Sequence, residues 1–247
     1  MIVLYTDFGF NGPYVGQMKS VLAQMAAGEA VIDLMHDAPS FDPRASAYLL
    51  ASLVSEFPEN TVFLCVVDPG VGSMRKPVVF QADGRWFVGP DNGLFEIIAL
   101  HAATRKADVN WWCIDWQPQR LSSSFHGRDL FAPVAAMLAN GEPVPGEPLL
   151  LAKKDEIQWP ADLPAIIYID HFGNSMTGMR AASVSTTQTL VINGHRFNWA
   201  RTFSDVNLGQ GFWYENANGL VEVAVNQGRA DLQYQLGVGD DVRFVTH

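Results

Sequence analysis

Thr61-Val62-Phe63-Leu64-Cys65-Val66-Val67 runs without a charge into Asp68-Pro69-Gly70-Val71-Gly72, and this junction decides the fold class. The apolar run predicts a buried strand, and the Pro-Gly turn places Asp68 where that strand ends. Working outward toward the N-terminus, strands are predicted at 2–6 and 31–35. Between and after them, helical spacing covers 14–27, with Val15, Met18, Val21, Leu22 and Met25 on one face, and 44–56, with Ala47, Leu50, Ala51 and Val54 inward. Toward the C-terminus, segments 77–82 and 85–88 flank Asp83-Gly84, a strong hairpin signal. Helices are expected at 92–102 and 129–140. This order of strands and helices predicts a largely parallel sheet covered by helices.

Composition then changes. Five prolines fall between Pro143 and Pro164, with the polar patch Lys153-Lys154-Asp155-Glu156 among them, a pattern expected of an inter-domain connector. Beyond it the helical pattern disappears and short strands are predicted at 165–170, 189–192, 195–199, 220–225 and 241–245, with Asn193-Gly194 as a two-residue hairpin turn. The expected fold is therefore α/β: an N-terminal domain over residues 1–142, a linker over 143–164 and a smaller all-β barrel or sandwich over 165–247.

The 247 residues are 48% apolar and 17% charged, enough for a sizeable core and too little charge for disorder. Sixteen basic against twenty-six acidic side chains give a net charge of -10, a field that repels nucleic-acid backbones. The two cysteines, Cys65 and Cys113, lie in apolar stretches and are expected as reduced thiols. Met1-Ile2-Val3-Leu4-Tyr5-Thr6-Asp7 starts as a strand without a basic leader, and no run has the ~20 apolar residues of a membrane helix. A cytoplasmic protein without membrane or nucleic-acid partners is expected.

Chemistry-bearing residues gather at element ends, where α/β proteins place their sites. Asp68 and Asp7 each follow a strand, Arg75 lies just beyond the first turn, and His126 opens a helical stretch in Ser124-Phe125-His126-Gly127-Arg128-Asp129. A carboxylate such as Asp7 can accept from two adjacent sugar hydroxyls, or cap a loop. Arg128 and Asp129 could pair with each other or cap the helix. In Asp170-His171-Phe172-Gly173-Asn174, Phe172 could stack on a planar ring and Asn174 offers a donor and an acceptor, or the string is a bulge around a core Phe. Asn216-Ala217-Asn218-Gly219 could be only a turn. The glycines make neither a dinucleotide fingerprint nor a P-loop. No nucleophile elbow is present. The histidines at 36, 101, 126, 171, 195 and 247 show no metal-ligand spacing, and there is no C-x-x-C, so no metal site is expected.

Six strings occur in one order: Thr6-Asp7-Phe8-Gly9, Tyr14-Val15-Gly16-Gln17-Met18-Lys19, Val67-Asp68-Pro69-Gly70-Val71-Gly72, Gly89-Pro90-Asp91-Asn92-Gly93, Phe125-His126-Gly127-Arg128-Asp129 and Phe172-Gly173-Asn174. In these, over its whole length, the chain resembles the S-adenosyl-L-methionine (SAM) hydroxide adenosyltransferases, adenosine-forming SAM hydrolases related to the fluorinase and chlorinase. The resemblance implies a reaction: SAM and water give adenosine and methionine, with no cofactor. It implies a catalytic triad at Asp68, Arg75 and His126, which the halogenating relatives lack. It further implies ribose recognition at Asp7, an aromatic contact at Phe41, methionine and adenine contacts at Asp170, Phe172 and Asn174, and further contacts at Asn216 and around Asn226. An α/β domain plus a β-barrel domain, and a homotrimer with the ligand between subunits, are implied as well. Three positions depart from the family pattern: Gly12, Gly178 and Ala217. A non-catalytic SAM or adenosine binder, and a metal-dependent nucleoside or phosphoester hydrolase using Asp7, Asp68 and His126 as ligands, remain alternative readings.

Overall fold

Strand β1 (Ile2–Thr6) is buried on both faces, and its neighbours explain why. It pairs in parallel with β2 (Val31–Met35) on one side and β3 (Val62–Val66) on the other. β5 (Arg85–Pro90) continues the sheet in parallel, then β4 (Pro77–Ala82), β6 (Val109–Ile114) and β7 (Gly146–Pro148) add antiparallel, giving the order β2-β1-β3-β5-β4-β6-β7. Because β6 opposes β4, five of the seven strands point the same way. The chain is described here from a computed structural model, over residues 1–150 and 157–246. The patch Lys153-Lys154-Asp155-Glu156 lies outside the described residues.

Side-chain alternation divides the core in two. Ile2, Leu4, Val62, Leu64 and Val66 pack against Met18 and Leu22 of α1 (Tyr14–Met25) and Val134, Ala135 and Leu138 of α4 (Ala132–Ala139). Val3, Tyr5, Phe63, Cys65 and Val67 face Leu50 of α2 (Pro43–Leu53) and Ile98 and Ala102 of α3 (Glu96–Thr104) on the opposite face. Helix α2 begins where the sequence marks it: Asp42 accepts from Ala45 N at 2.9 Å and Pro43 occupies the first turn. Both cysteines are free thiols, and burial pushes the Cys65 thiol well up.

Some expectations shift. The helix predicted at 92–102 starts later, since the Asn92 amide donates to Val67 O at 2.8 Å and its oxygen accepts from Leu94 N, holding a turn instead. The helix predicted from 129 starts as a wide π-type turn, Gly127–Phe131, before α4. Within the predicted connector, Gly146–Pro148 forms β7 on the sheet edge.

The chain divides into two compact units, Met1–Trp159 and Pro160–His247. The second holds seven short strands in two antiparallel sheets. One is β11-β10-β14, of β10 (Thr189–Ile192), β11 (His195–Phe197) and β14 (Val242–Val245). The other is β12-β13-β9-β8, of β8 (Leu163–Ile169), β9 (Ser175–Arg180), β12 (Gly211–Glu215) and β13 (Leu220–Val225). Their edges meet at two seams, through the bridges Ala165 to Asp241 and Trp199 to Trp213, so the expected barrel is two sheets stitched at their edges. A five-residue helix, α5 (Ala230–Tyr234), and the single 3₁₀ turns Ala181–Ser183 and Phe203–Asp205 are helical pieces of this unit that the sequence did not suggest.

Candidate active site

Parallel pairing puts Thr6 opposite Val66, so Asp7 and Asp68 leave neighbouring strands at the same carboxyl edge. His36, one residue beyond β2, and Asn92, two beyond β5, reach that edge as well. Asp7 Oδ2 accepts the Phe41 N–H at 3.1 Å. Burial raises the Asp7 pKa, the Phe41 bond opposes it, and the Asp68 charge adds to the rise. Phe41 holds a left-handed backbone, φ 59°, with its ring 79% exposed, a conformation a non-glycine residue keeps only where its surroundings impose it.

Asp68, Arg75 and His126 meet. Arg75 Nε donates to both Asp68 oxygens, at 3.0 and 2.9 Å, and Nη2 donates to Asp68 Oδ2 at 2.5 Å. The same Nη2 lies 2.8 Å from His126 Nδ1. The two charged side chains are 9% and 4% exposed, with the guanidinium carbon 5.1 Å from the Phe131 ring centre. A guanidinium only donates, so Nδ1 must accept and the ring proton sits on Nε2. Burial holds the His126 pKa below its ordinary value and the Arg75 charge lowers it further, against Asp68 and Asp129. Gly72 brings the two loops together: at φ 78°, a Cβ there would fall 2.5 Å from Ser123 O.

Asp68 and His126 line a cavity of about 470 Å³ with Phe8, Tyr14, Phe125 and Arg120. The three aromatic rings pack edge to face at 5.3–5.9 Å. Arg128 pairs with Asp129 at 2.6 Å, its guanidinium carbon 5.0 Å from the Phe125 ring centre, while Asp129 accepts Ser122 N at 2.8 Å. Pairing rather than capping is thus the outcome for these two residues, and it stiffens the loop that carries His126.

The second unit has its own cavity, about 700 Å³, lined by Asp170, Phe172, Asn174 and Asn216 of the predicted residues. Asp170 braces the turn, accepting Asn174 N at 2.8 Å and Asn174 Nδ2 at 3.0 Å. That turn presents Phe172, 71% exposed and so not a core residue. Asn216 lines the cavity and builds the β12–β13 turn, its oxygen taking the N–H groups of Asn218 and Leu220 at 3.0 Å each. Asn226 does not line the cavity; its amide donates to Val206 O at 2.9 Å, while Val225, Gln227 and Gly228 beside it do line it. Of the departures, Ala217 faces the cavity. Gly178 serves packing instead, since a Cβ there would meet Leu163 Cβ at 2.7 Å.

Sequence reasoning missed Glu222, a cavity-lining carboxylate 2% exposed on β13. Tyr214 Oη donates to its Oε1 at 2.5 Å and Asn216 Nδ2 to its Oε2 at 2.8 Å. Burial raises its pKa, the two donors oppose this, and the Asp170 charge adds to it. The one available signal was an acid inside the apolar run Leu220–Val225. Among the described residues, no three His, Cys, Asp or Glu side chains are grouped as metal ligands, and no helix is long and apolar enough to cross a membrane.

Residues 2–146 match the family model of the SAM hydroxide adenosyltransferase N-terminal domain, and residues 164–243 that of its C-terminal domain. The chain belongs to the SAM hydroxide adenosyltransferase family. Within this family it is similar to a protein named (R)-S-adenosyl-L-methionine hydrolase from Thermus thermophilus, 38% identical over 99% of both chains. A protein of the same name from Salinispora arenicola is 36% identical over 96% of this chain and 95% of that one. A fluorinase from Actinoplanes sp. is 23% identical over 97% of this chain and 95% of its own. The crystal structure of an uncharacterized conserved protein from Thermotoga maritima superposes with a TM-score of 0.88, at 30% identity over 99% of both chains.

Proposed function

We propose that this protein is a SAM hydrolase, converting S-adenosyl-L-methionine and water to adenosine and L-methionine by attack of the water at ribose C5′. The observation that carries this reading is the Asp68–Arg75–His126 knot beside the cavity at the carboxyl edge of the parallel strands. Attack at C5′ breaks the C5′–S bond, and its electron pair leaves as the neutral thioether of methionine. The leaving group needs no general acid, so the demand falls on placing and activating the water.

The tautomer imposed by Arg75 divides that work. His126 Nε2–H donates to the water oxygen and stabilises the hydroxide character that develops there, as a preorganised donor does. With Nδ1 engaged by Arg75, the proton acceptor is Asp68, whose carboxylate still has lone-pair capacity beyond its three contacts with Arg75. Asp7 takes the ribose hydroxyls beside Phe41, and Asp170, Phe172, Asn174, Asn216 and the segment around Asn226 receive the adenine and methionine parts. The enzyme uses no metal or cofactor in this reading, works in the cytoplasm as a homotrimer, and shares each site between neighbouring copies. Residues 1–142 and 165–247 act as its two domains, joined by the 143–164 linker, within which Gly146–Pro148 pairs on the edge of the first sheet. The expected residues fall in two cavities, one in each unit.

The test is to incubate the purified protein with SAM, with and without EDTA, and follow adenosine and methionine by chromatography. Equal amounts of both, unaffected by EDTA and lost in Asp68→Ala, support the proposal. Tight adenosine binding without turnover would replace it with a binding protein, and EDTA sensitivity with a metal-dependent hydrolase. For the shared site, at SAM well below saturation a mixture of Asp68→Ala with Phe172→Ala protein should turn over faster than either variant alone at the same total concentration, because some sites then combine two intact halves.

A further inference from the structure

We infer that His36 is a positioning residue that fixes the Asp7 carboxylate for recognition of the ribose hydroxyls, an inference that rests on the reading of Asp7 given above. His36 is wholly buried, and it holds the chain on both sides of Asp7. On one side, His36 Nδ1 lies 2.8 Å from Thr6 Oγ1, the residue before Asp7. That oxygen also accepts the Phe8 N–H at 3.4 Å, on the far side of Asp7. The His36 backbone carbonyl then accepts Gly9 N at 2.6 Å. Ala38 N donates to Thr6 O at 3.1 Å, closing the frame.

The ring is itself held from behind. Nε2 lies 3.1 Å from Asp33 Oδ1, and Asp33 Oδ2 accepts Lys19 Nζ at 2.9 Å. A carboxylate only accepts, so Nε2 carries a proton, and the lone pair on Nδ1 is left for the Thr6 hydroxyl. The Phe10 ring packs edge-on at 5.0 Å. The chain of bonds thus runs from Lys19 on α1 through Asp33 on β2 and His36 to the strand end that carries Asp7. A carboxylate that must meet two adjacent hydroxyls at once needs its backbone fixed, because small displacements cost a bidentate contact more than a single one.

The readout is discrimination between adenosine and 2′-deoxyadenosine, measured by calorimetry on the full chain. Wild-type protein favours adenosine, and Asp7→Asn removes most of that preference. His36→Leu and Thr6→Val should each cut the preference by about tenfold, the scale of one good hydrogen bond. His36→Asn, which keeps an acceptor for the Thr6 hydroxyl, should recover part of it. Melting temperatures identify folded variants. If His36→Leu does not fold, Thr6→Val and Asp33→Asn carry the test. Folded variants that keep the wild-type preference while Asp7→Asn loses it would overturn the role of His36. An unchanged preference in Asp7→Asn would overturn the reading of Asp7 itself, and this inference with it.

Discussion

The two cavities are built in opposite ways. In the first unit the charged groups project from strand ends that a parallel sheet brings to one edge, and they bond to partners distant in sequence: Arg75 reaches His126, 51 residues on. In the second unit the cavity is walled by hairpin turns whose polar groups bond mostly to near neighbours, Asp170 to Asn174 and Asn216 to Asn218, Leu220 and Glu222. The first arrangement preorganises charge against a reacting atom, and the second presents rings and amide edges to a ligand. Damage to the first should therefore fall on turnover, and damage to the second on affinity.

The largest effect is expected from Arg75→Met. Removing the guanidinium leaves Asp68 buried without its counter-ion, a loss of roughly 3 kcal/mol in folding stability, and frees His126 from its imposed tautomer. Chemical denaturation and a turnover assay should show both losses together. Asp68→Ala should lower turnover by about 10²-fold or more while adenosine affinity, read by calorimetry, stays near wild type. Phe172→Ala should do the reverse, weakening adenosine by about tenfold with kcat nearly unchanged, since its ring is exposed and contributes little to the core.

The pH profile sharpens the contrast. His126 is held below its ordinary 6.5, so it stays neutral through neutral pH and the acid limb of kcat should lie below 6.5. An acid limb above 6.5 would mean that the Asp68 and Asp129 charges outweigh burial and Arg75 at the ring. Glu222 gives the smallest effect. Its folded pKa lies above the unfolded 4.5, so the stability linked to its proton is full below 4.5 and is lost as pH rises through the folded value. Glu222→Gln should flatten the fall in melting temperature between pH 4.5 and 8 by a few degrees at most, without altering kcat.

Legibility in the sequence follows the same division. Asp83-Gly84 and Asn193-Gly194 were read correctly as turns because both residues of each adopt positive φ, a demand met locally by those residue types. β1, β3 and the carboxyl-edge position of Asp7 and Asp68 were legible from apolar runs and what ends them. β9 was not: Ser175-Met176-Thr177-Gly178-Met179-Arg180 has no apolar alternation, and its place depends on Gly178 admitting Leu163. Two of the six motifs hold Asp68 and His126, and the resemblance adds Arg75, but the contact among the three depends on long-range packing. Glu222 escaped because an acid on a strand reads as a solvent-facing position, while here all six residues of β13 are buried.

The most direct measurement is a single turnover of SAM in water enriched in ¹⁸O, with adenosine and methionine analysed by mass spectrometry. The account predicts one heavy oxygen in adenosine, on the 5′ carbon, and none in methionine. Adenosine released without label, or label appearing in methionine, would contradict attack by water at C5′.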